Sequence, residues 1–306
     1  MSGRPIIGSS TFTRRALLAF AGLAVLPLSN PALAGEVVDA AGLKVTANGP
    51  KRIVSIGSAS TEILVELGFS ERIVAVDTTS EGVIADGHAP DIGYMRALAA
   101  EGILAQTPDL IVATMDSGPK EVIETLRASG VPLLQLPVTP TIDSIITKIN
   151  ILGSLLDVQA KADALSAQVR RQATDLSQMA ANASNKPKAL FMLSMSNNRM
   201  TVGGKGTAAD AVLELAGATN IAGDIEGYKP FSPEIVVTNP PDVIVIMTNQ
   251  GHDAMAAKVL ENEALAATPA AKSKALIPVD GAALLSFGTR TLHAASALAK
   301  TIHGGV

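Results

Sequence analysis

Two kinds of segment alternate along much of the chain, and this alternation restricts the fold more than any other feature. In residues 52–137, short apolar runs such as "RIVSIG" and "DLIVAT" are typical of buried strands. The stretches between them, such as "STEILVELG" and "GPKEVIETLRASG", repeat apolar residues at helical spacing, and Ser60 or Thr61 is expected to cap the first of these helices. Short strands separated by helices of this length predict parallel βαβ units with helices on both faces of a sheet.

The alternation of strand-like and helix-like segments then stops. Residues 141–184 contain no strand-like run and predict helices, of which the last is long and amphipathic. The alternation then resumes with the strands "ALFMLS", "DVIVIM" and "ALIPVD". Between them, helices are predicted at "TAADAVLELAG", which Thr207 is expected to cap, and at "AMAAKVLENEAL". We therefore predict an α/β protein of two parallel-sheet lobes with a ligand cleft between them. The N-terminal lobe spans 35–150, a connecting helical segment 151–186, and the C-terminal lobe 187–306.

The first 34 residues are predicted to be an export signal rather than part of the fold. A basic start is followed by an apolar stretch and by "ALA", which predicts a cut after Ala34. The apolar stretch is short and is interrupted by Pro27 and Pro31, so it is not expected to span a membrane. The adjacent arginines in "TRRALLAF" favour twin-arginine export over ordinary secretion, which stays open. The predicted location is the periplasm, with no transmembrane segment in the mature chain.

Charge and cysteine content exclude several functions. The chain has 24 basic and 28 acidic residues. Residues 1–34 contain three arginines and no acid, so the mature chain has 21 basic and 28 acidic residues and a net charge of −7. A negative chain is a poor ligand for nucleic acid, which requires a basic face. The absence of cysteine excludes disulfides and thiolate metal sites.

The chain has only two tyrosines and no tryptophan. Tyr94 lies in "DIGYMR" and Tyr228 in "EGYKP", so each follows a glycine, lies close to a basic residue and is predicted to lie in a loop. Sites in α/β sheets lie beyond the carboxyl ends of the strands. Two lobes that face each other would therefore bring both tyrosine loops to one cleft.

The two halves also contain a matching pattern. "LAAEGILAQTPDLIVAT" in the first half corresponds to "FSPEIVVTNPPDVIVIM" in the second. In each, an acidic residue lies in a short predicted helix, a proline ends that helix, and an aspartate precedes an apolar strand. The two acids are Glu101 and Glu234.

Five stretches carry a resemblance to a known family: "RIVSIGSASTEILVELGFSERIVAVDTTS", "DIGYMRALAAEGILAQTPDLIVA", "GGKGTAADAVLELAGATNIA", "EGYKPFSPEIVV" and "SFGTRT". Together they resemble the haem-binding periplasmic proteins of bacterial ABC importers, within the broader group that binds cobalamin and ferric siderophores. The resemblance implies two lobes joined by one long rigid helix, here expected from about Asp157. It also implies a monomer that does no chemistry, binds haem in the cleft and delivers it to an ABC transporter permease in the inner membrane.

The resemblance assigns roles to the tyrosine loops. Tyr94 would be the axial ligand of ferric haem, since phenolate is a hard anionic donor and tyrosine is a known type of haem ligand. A free phenol has a pKa of about 10, so ligation needs help from the iron and from a nearby cation. Arg96 would stabilise the phenolate or pair with a haem propionate. Tyr228, Lys229 and Arg290 would complete the haem pocket.

The same resemblance assigns Glu101 and Glu234 to permease docking, with one glutamate on each lobe pairing with arginines of the permease. Ion pairs of this kind set orientation and association rate more than affinity.

Several alternatives remain open at this stage. His88 is the rival iron ligand. Some relatives add a histidine near "LSMSNNRM", where this chain has Asn197 and Asn198, which argues against a second protein ligand and against two stacked haems. The nearest functional rival is the same fold binding cobalamin or a ferric siderophore. An exported enzyme is a further rival, but no nucleophile motif such as G-x-S-x-G supports it. The scattered histidines disfavour a zinc or manganese carrier.

Overall fold

The computed structural model describes residue 3 and residues 35–85, 87–196, 199–231, 233–248 and 252–304. Within these ranges, the side chains of residues 196, 233–235 and 252–254 are not described. Apart from Gly3, the predicted export signal lies outside the described residues, so its cut and its export route stay predictions. So do the exact bounds of the lobes.

The first lobe is built on a parallel sheet. The chain enters through a hairpin that the sequence did not predict, β1 (Gly35–Val38) and β2 (Lys44–Ala47). The sheet itself has the order β4-β3-β5-β6, and neighbouring strands are parallel. Its strands are β3 (Ile53–Ser55), β4 (Ile73–Val76), β5 (Leu110–Thr114) and β6 (Leu133–Leu136). All four strands were predicted, and the parallel arrangement is confirmed.

Helices connect these strands as predicted. They are α1 (Ser58–Glu66), α2 (Ala100–Leu104), α3 (Lys120–Ala128) and α4 (Ile142–Leu155). One detail was wrong: Ser60 or Thr61 was expected to cap α1, but both lie inside it. The start of α1 is held instead by Asp77, whose carboxylate accepts a hydrogen bond of 2.7 Å from the N–H of Gly57. Since Asp77 directly follows β4, a neighbouring strand supplies the group that the helix start needs.

A single long helix follows, α5 (Gln159–Asn182). Its 24 residues correspond to a length of about 36 Å. It packs against α4 and against the C-terminal helix (Thr291–Gly304). The long connecting helix implied by the family resemblance is therefore present, and it contacts both lobes.

The second lobe has a mixed sheet of order β10-β8-β7-β11-β12, with β9 paired to β7. Its strands are β7 (Lys188–Ser196), β8 (Arg199–Gly203), β9 (Thr219–Asn220), β10 (Tyr228–Phe231), β11 (Val243–Met247) and β12 (Leu276–Val279). The predicted strands β7, β11 and β12 are parallel. The sequence did not predict β8 and β10, which are antiparallel additions at the edge.

The helices of the second lobe are α6 (Ala208–Leu215), α7 (Pro233–Thr238), α8 (His252–Glu261), α9 (Glu263–Ala266), α10 (Pro269–Lys272), α11 (Gly281–Leu285) and α12 (Thr291–Gly304). Thr207 caps α6 as predicted, accepting from the N–H of Asp210 at 3.1 Å. The single helix predicted at "AMAAKVLENEAL" is divided into α8 and α9, because Asn262 accepts from the N–H of Leu265 and starts a new helix.

Within the described residues, the protein has three apolar cores, of which one connects the two lobes. One core runs through both lobes and includes Ile149 of α4, Val169 of α5 and Leu298 of α12. A second core lies in the second lobe and contains Met195 and Met200. A third core lies in the first lobe. In the part of the chain that the structure describes, no helix has the length and apolar character to cross a membrane.

Lys148 on α4 is a charged residue inside this framework, with 1% of its surface exposed. Burial lowers its pKa from 10.5 to about 8, although the negative charges of Glu62 and Asp116 act in the opposite direction. Between pH 8 and 10.5 the folded protein has therefore released a proton that the unfolded chain still holds. The free energy of unfolding should rise with pH across this window, by about 3 kcal/mol in full.

Lys148→Met is expected to abolish that rise, because the variant has no buried ammonium to neutralise. Denaturant unfolding at pH values of about 7 and about 10 measures it. Lys120→Met, at an exposed position on α3, is the matched control and should keep the wild-type rise. An equal rise in Lys148→Met and in the wild type would assign the pH dependence to other groups.

Candidate functional site

Tyr94 lies in a loop that hydrogen bonds hold on both sides. Before it, the N–H of Ile92 donates to the carbonyl of Val76 at 2.9 Å, at the end of β4. After it, the N–H of Gly118 donates to the carbonyl of Met95 at 2.9 Å, and the Met95 side chain is buried in the first-lobe core. The Tyr94 side chain itself is 45% exposed. A fixed backbone therefore presents an accessible phenol beyond the carboxyl end of β4, where sites of α/β sheets lie.

Arg96 connects Tyr94 to the end of β5. Its Nη1 donates to Tyr94 Oη at 2.7 Å, and its Nη2 forms an ion pair with Asp116. Burial disfavours the charged guanidinium, but the bonds to Tyr94 and Asp116 outweigh it and raise the pKa of Arg96 above its ordinary value. A hydrogen bond from a cation favours the anionic form of the oxygen that accepts it. The arrangement therefore suits an oxygen that acts as an anionic metal ligand.

Tyr228 has a different environment. It lies on the edge strand β10, and not in a loop as the sequence suggested. Its ring is 39% exposed, but its hydroxyl lies against the start of α6, where it accepts from the N–H of Ala209 at 3.4 Å. Burial raises the pKa of Tyr228, although the bond from Ala209 and the positive charge of Arg96 act in the opposite direction.

Arg96 belongs to the first lobe and Tyr228 to the second, and the two side chains are near enough for the charge of Arg96 to act on the Tyr228 phenol. That both tyrosine segments line one ligand cleft stays a prediction. Tyr94 has its oxygen bonded to a cation and Tyr228 has a raised pKa, so the two phenols are not equivalent as candidate metal ligands.

The glycine before each tyrosine has a backbone reason. Gly93 has a φ of 95° and Gly227 a φ of 77°. Both values lie in the left-handed region that favours glycine. A side chain at either position would meet no neighbouring atom within 4 Å, so the requirement is conformational rather than steric.

The other two residues predicted for the haem pocket, Lys229 and Arg290, have different surroundings. Lys229 is exposed and adjacent to Tyr228 on β10, so the two side chains point to opposite faces of that strand. Arg290 directs its main-chain N–H and its Nε to the buried carboxylate of Glu62. The roles of Lys229 and Arg290 toward a ligand stay predictions.

The two candidate docking acids occupy corresponding helices. Glu101 is exposed in the first turn of α2, which precedes β5. Glu234 lies in α7, which precedes β11, although its side chain is among those not described. Each of these strands lies inside its sheet, with a parallel neighbour on both sides. The repeated sequence pattern is therefore a repeated structure.

The structure adds residues to the site that the sequence did not indicate. Asp116 was missed because its partner Arg96 is 20 residues away. Lys205 lies beside the Tyr228 segment, since its carbonyl accepts from the N–H of Gly227 at 3.0 Å. Met115 and Val138 are exposed apolar residues that follow β5 and β6, at the same end of the first sheet as Asp116. Their positions after strand ends are the only sequence signal for them.

The histidines and carboxylates do not provide another metal site in the described part of the chain, where no three of them come together as metal ligands. His88, the rival ligand, is exposed in the loop that precedes Tyr94. Asn197 and Asn198 lie outside the described residues.

The fold and this cleft define a class of protein. The family model for periplasmic binding proteins matches residues 53–283, and the chain belongs to that family. This confirms the predicted class, the two-lobed fold and the periplasmic location.

The chain is also similar to particular known proteins. The crystal structure of a periplasmic haem-binding protein from Pseudomonas aeruginosa is 34% identical, with a TM-score of 0.78 over 83% of this chain and 93% of that chain. An uncharacterised ABC transporter substrate-binding lipoprotein, YvrC of Bacillus subtilis, is 25% identical over 83% of this chain and 80% of its own length. The vitamin B12-binding protein of Vibrio parahaemolyticus is 28% identical over 65% of this chain and 71% of its own length.

Proposed function

We propose that this protein binds haem in the cleft between its lobes and delivers it to the permease of an ABC importer. The observation that carries the proposal is the exposed Tyr94 side chain, to whose oxygen Arg96 donates a hydrogen bond. A phenolate is a hard, anionic ligand suited to ferric iron, and tyrosine ligates haem in other proteins. Haem is the transported cargo in this proposal, and the protein does no catalysis.

The surroundings of Tyr94 fit a porphyrin. Met115 and Val138 offer exposed apolar surface at the same end of the first lobe. Tyr228 of the second lobe is near enough to Arg96 to feel its charge, so its ring is a candidate to lie against a flat apolar ligand bound at Tyr94. Two propionates require local positive charge in a mature chain of net charge −7, and the candidate cations are Arg96, Lys205, Lys229 and Arg290.

The likeness to known proteins supports both parts of the proposal. The Pseudomonas aeruginosa protein is described as haem-binding, and YvrC as the substrate-binding component of an ABC transporter. Cobalamin is the second candidate, because the Vibrio parahaemolyticus relative binds vitamin B12. The arginine-bonded phenol favours haem, since it offers an anionic oxygen to a ferric ion with an open axial position.

The test is a titration of the purified protein with hemin, followed by absorption. We expect a shifted Soret band that saturates, together with a tyrosinate-to-iron charge-transfer absorption. A parallel titration with cyanocobalamin should show no saturable change. Saturable binding of cyanocobalamin without a hemin response would replace haem by cobalamin, and no response to either would overturn the proposal.

The cations near the cleft should contribute unequally. Lys229→Ala is expected to weaken hemin binding by at most about fivefold, or about 1 kcal/mol, because an exposed ion pair is screened by water and salt. Arg96→Ala should weaken it more and should shift the Tyr94-to-iron absorption, because Arg96 also contacts the phenol oxygen. Titrations at low and high salt measure both effects. Equal affinities for both variants and the wild type at low salt would place the propionates elsewhere, with Arg290 the next residue to test.

A further inference from the structure

Glu62 is a buried acid that the proposed ligand site does not use. It lies in the middle of α1, and its side chain is 1% exposed. Burying a carboxylate is costly unless it is paired and hydrogen-bonded. Burial raises the pKa of Glu62, although contacts with Arg290 and the charge of Lys148 lower it. A buried carboxylate requires hydrogen-bond donors and a counter-charge, and the residues that supply them indicate what Glu62 does in the structure.

The hydrogen-bond donors to Glu62 come from the other lobe. Arg290 donates twice, from its main-chain N–H to Oε2 at 3.0 Å and from its Nε to Oε1 at 3.0 Å. The hydroxyl of Ser286 lies 3.5 Å from Oε1. Both residues belong to the segment between α11 and α12, more than 220 residues from Glu62 along the chain.

The segment that carries Arg290 is shaped to reach Glu62. At Gly288, any side chain would collide with the Glu62 carboxylate, so only glycine allows the approach. The preceding Phe287 is buried and has a φ of 50°, a left-handed conformation that bulky residues rarely adopt. A strained conformation persists where surrounding contacts determine it more strongly than local preference does. The geometry of segment 286–290 is therefore fixed by its contacts with α1.

We propose that Glu62 and Arg290 form an inter-lobe ion pair that fixes the angle between the two lobes before any ligand binds. The helix α5 connects the lobes at one place, by packing on α4 and α12. The ion pair connects them at a second place, between α1 and the start of α12. A second, directional connection restricts rotation in a way that the packing of one helix alone does not. The inference does not depend on which ligand the cleft takes.

The position of Arg290 supports this role. It lines a cavity of about 270 Å³ together with Glu66 of α1, Val169 of α5 and His293 of α12, so it lies where these three helices meet. Neither tyrosine lines this cavity. The main-chain N–H and Nε of Arg290 both donate to Glu62, so these two groups belong to the contact between the lobes.

A joint of this kind has a consequence for binding. The two tyrosine segments belong to different lobes, so the width of the cleft depends on the angle between the lobes. If the width of the cleft is fixed before binding, less conformational entropy is lost when the ligand binds. Removing one partner also leaves a buried charge without its counter-charge, which is strongly unfavourable. Loss of the ion pair should therefore loosen the lobes rather than merely remove one surface contact.

The experiment measures the distance between the lobes without ligand. Because the chain has no cysteine, spin labels can be placed at Lys120→Cys on α3 and Lys258→Cys on α8, both exposed and in different lobes. Double electron–electron resonance then gives the distribution of inter-lobe distances. We expect a distribution at least twofold broader in Glu62→Gln and Arg290→Met than in the unmutated labelled protein. Glu71→Gln, at an exposed position of the first lobe outside the cavity that Arg290 lines, is the matched control and should leave the distribution unchanged.

Circular dichroism of each variant shows whether it is folded. If Glu62→Gln and Arg290→Met do not fold, Arg290→Lys is measured in their place, since the Arg290 side chain is one-third exposed and a lysine keeps the charge. A lysine cannot reproduce the Nε contact, so a broadened distribution is again expected. Unchanged distributions in the folded variants would overturn the proposal. Because no ligand is present, this outcome would leave the haem proposal untouched.

Discussion

Tyr94→Phe is expected to weaken hemin binding roughly 100-fold, about 2.8 kcal/mol in binding free energy, and to remove the tyrosinate-to-iron charge-transfer absorption. The substitution deletes only the oxygen to which Arg96 donates. The ring and the main-chain bonds around it are unaffected, so the free energy of unfolding should change by less than about 0.5 kcal/mol, as for most exposed positions. Hemin titration, the absorption spectrum and denaturant unfolding measure the three quantities.

Two further variants make this prediction specific. Tyr228→Phe is the matched control in the other lobe, and it should keep the charge-transfer absorption because the Tyr228 hydroxyl lies against α6. His88→Ala tests the rival ligand and should also keep the wild-type spectrum. If Tyr94→Phe binds hemin with an unchanged spectrum while His88→Ala or Tyr228→Phe loses it, the assignment of Tyr94 is wrong.

The elements that could be predicted from the sequence are those whose pattern is local. The strands β3, β5 and β11 are continuous apolar runs that are buried on both sides, and such runs are typical of parallel sheets. The helix α6 was predicted together with its cap, Thr207, because capping depends on a residue and the turn that follows it. In such cases the sequence within about ten residues contains the physical cause of the structure.

The elements that could not be predicted depend on distant partners. The strand β10 follows Gly227 and contains Pro230, residues that favour a turn, and it becomes a strand only because β8 pairs with it. The start of α1 was misassigned because the group that holds it, Asp77, lies on another element. Local preference is overridden in both cases by a contact made in the folded protein.

The residues of the candidate site show the same difference between local patterns and contacts with distant residues. Tyr94 and Arg96 are two residues apart, and the family resemblance indicated both. Asp116 and Glu62 form their ion pairs with residues 20 and 228 positions away, and no pattern within the sequence connects such pairs. The residue types that offer chemistry to a ligand could thus be named from the sequence, whereas the residues that hold them in position could not.

The second large effect concerns delivery. The double variant Glu101→Lys/Glu234→Lys is expected to reduce haem uptake through the cognate importer at least about tenfold, while hemin affinity stays that of the wild type. Ion pairs at an interface direct association, and like charges brought together at an interface cost several kcal/mol. The corresponding double alanine variant should have a smaller effect, because it removes attraction without adding repulsion.

The positions of the two acids give the physical reason for this expectation. Glu101 follows Tyr94 by seven residues and Glu234 follows Tyr228 by six, each in a helix between a tyrosine segment and an internal strand. The two helices are therefore equivalent parts of the two lobes. A permease made of two like subunits would present like surfaces to them, one to each lobe.

Growth on hemin as the sole iron source, with the protein exported at matched levels, measures uptake. Glu121→Lys on α3 and Glu214→Lys on α6 are the control variants, since they make the same charge change at exposed positions, one on each lobe. Their double variant should support normal growth, which separates docking from the change in net charge. Normal growth of the Glu101→Lys/Glu234→Lys strain would show that these acids do not contact the permease. Equally poor growth of both double variants would assign the defect to net charge instead of to the repeated helices.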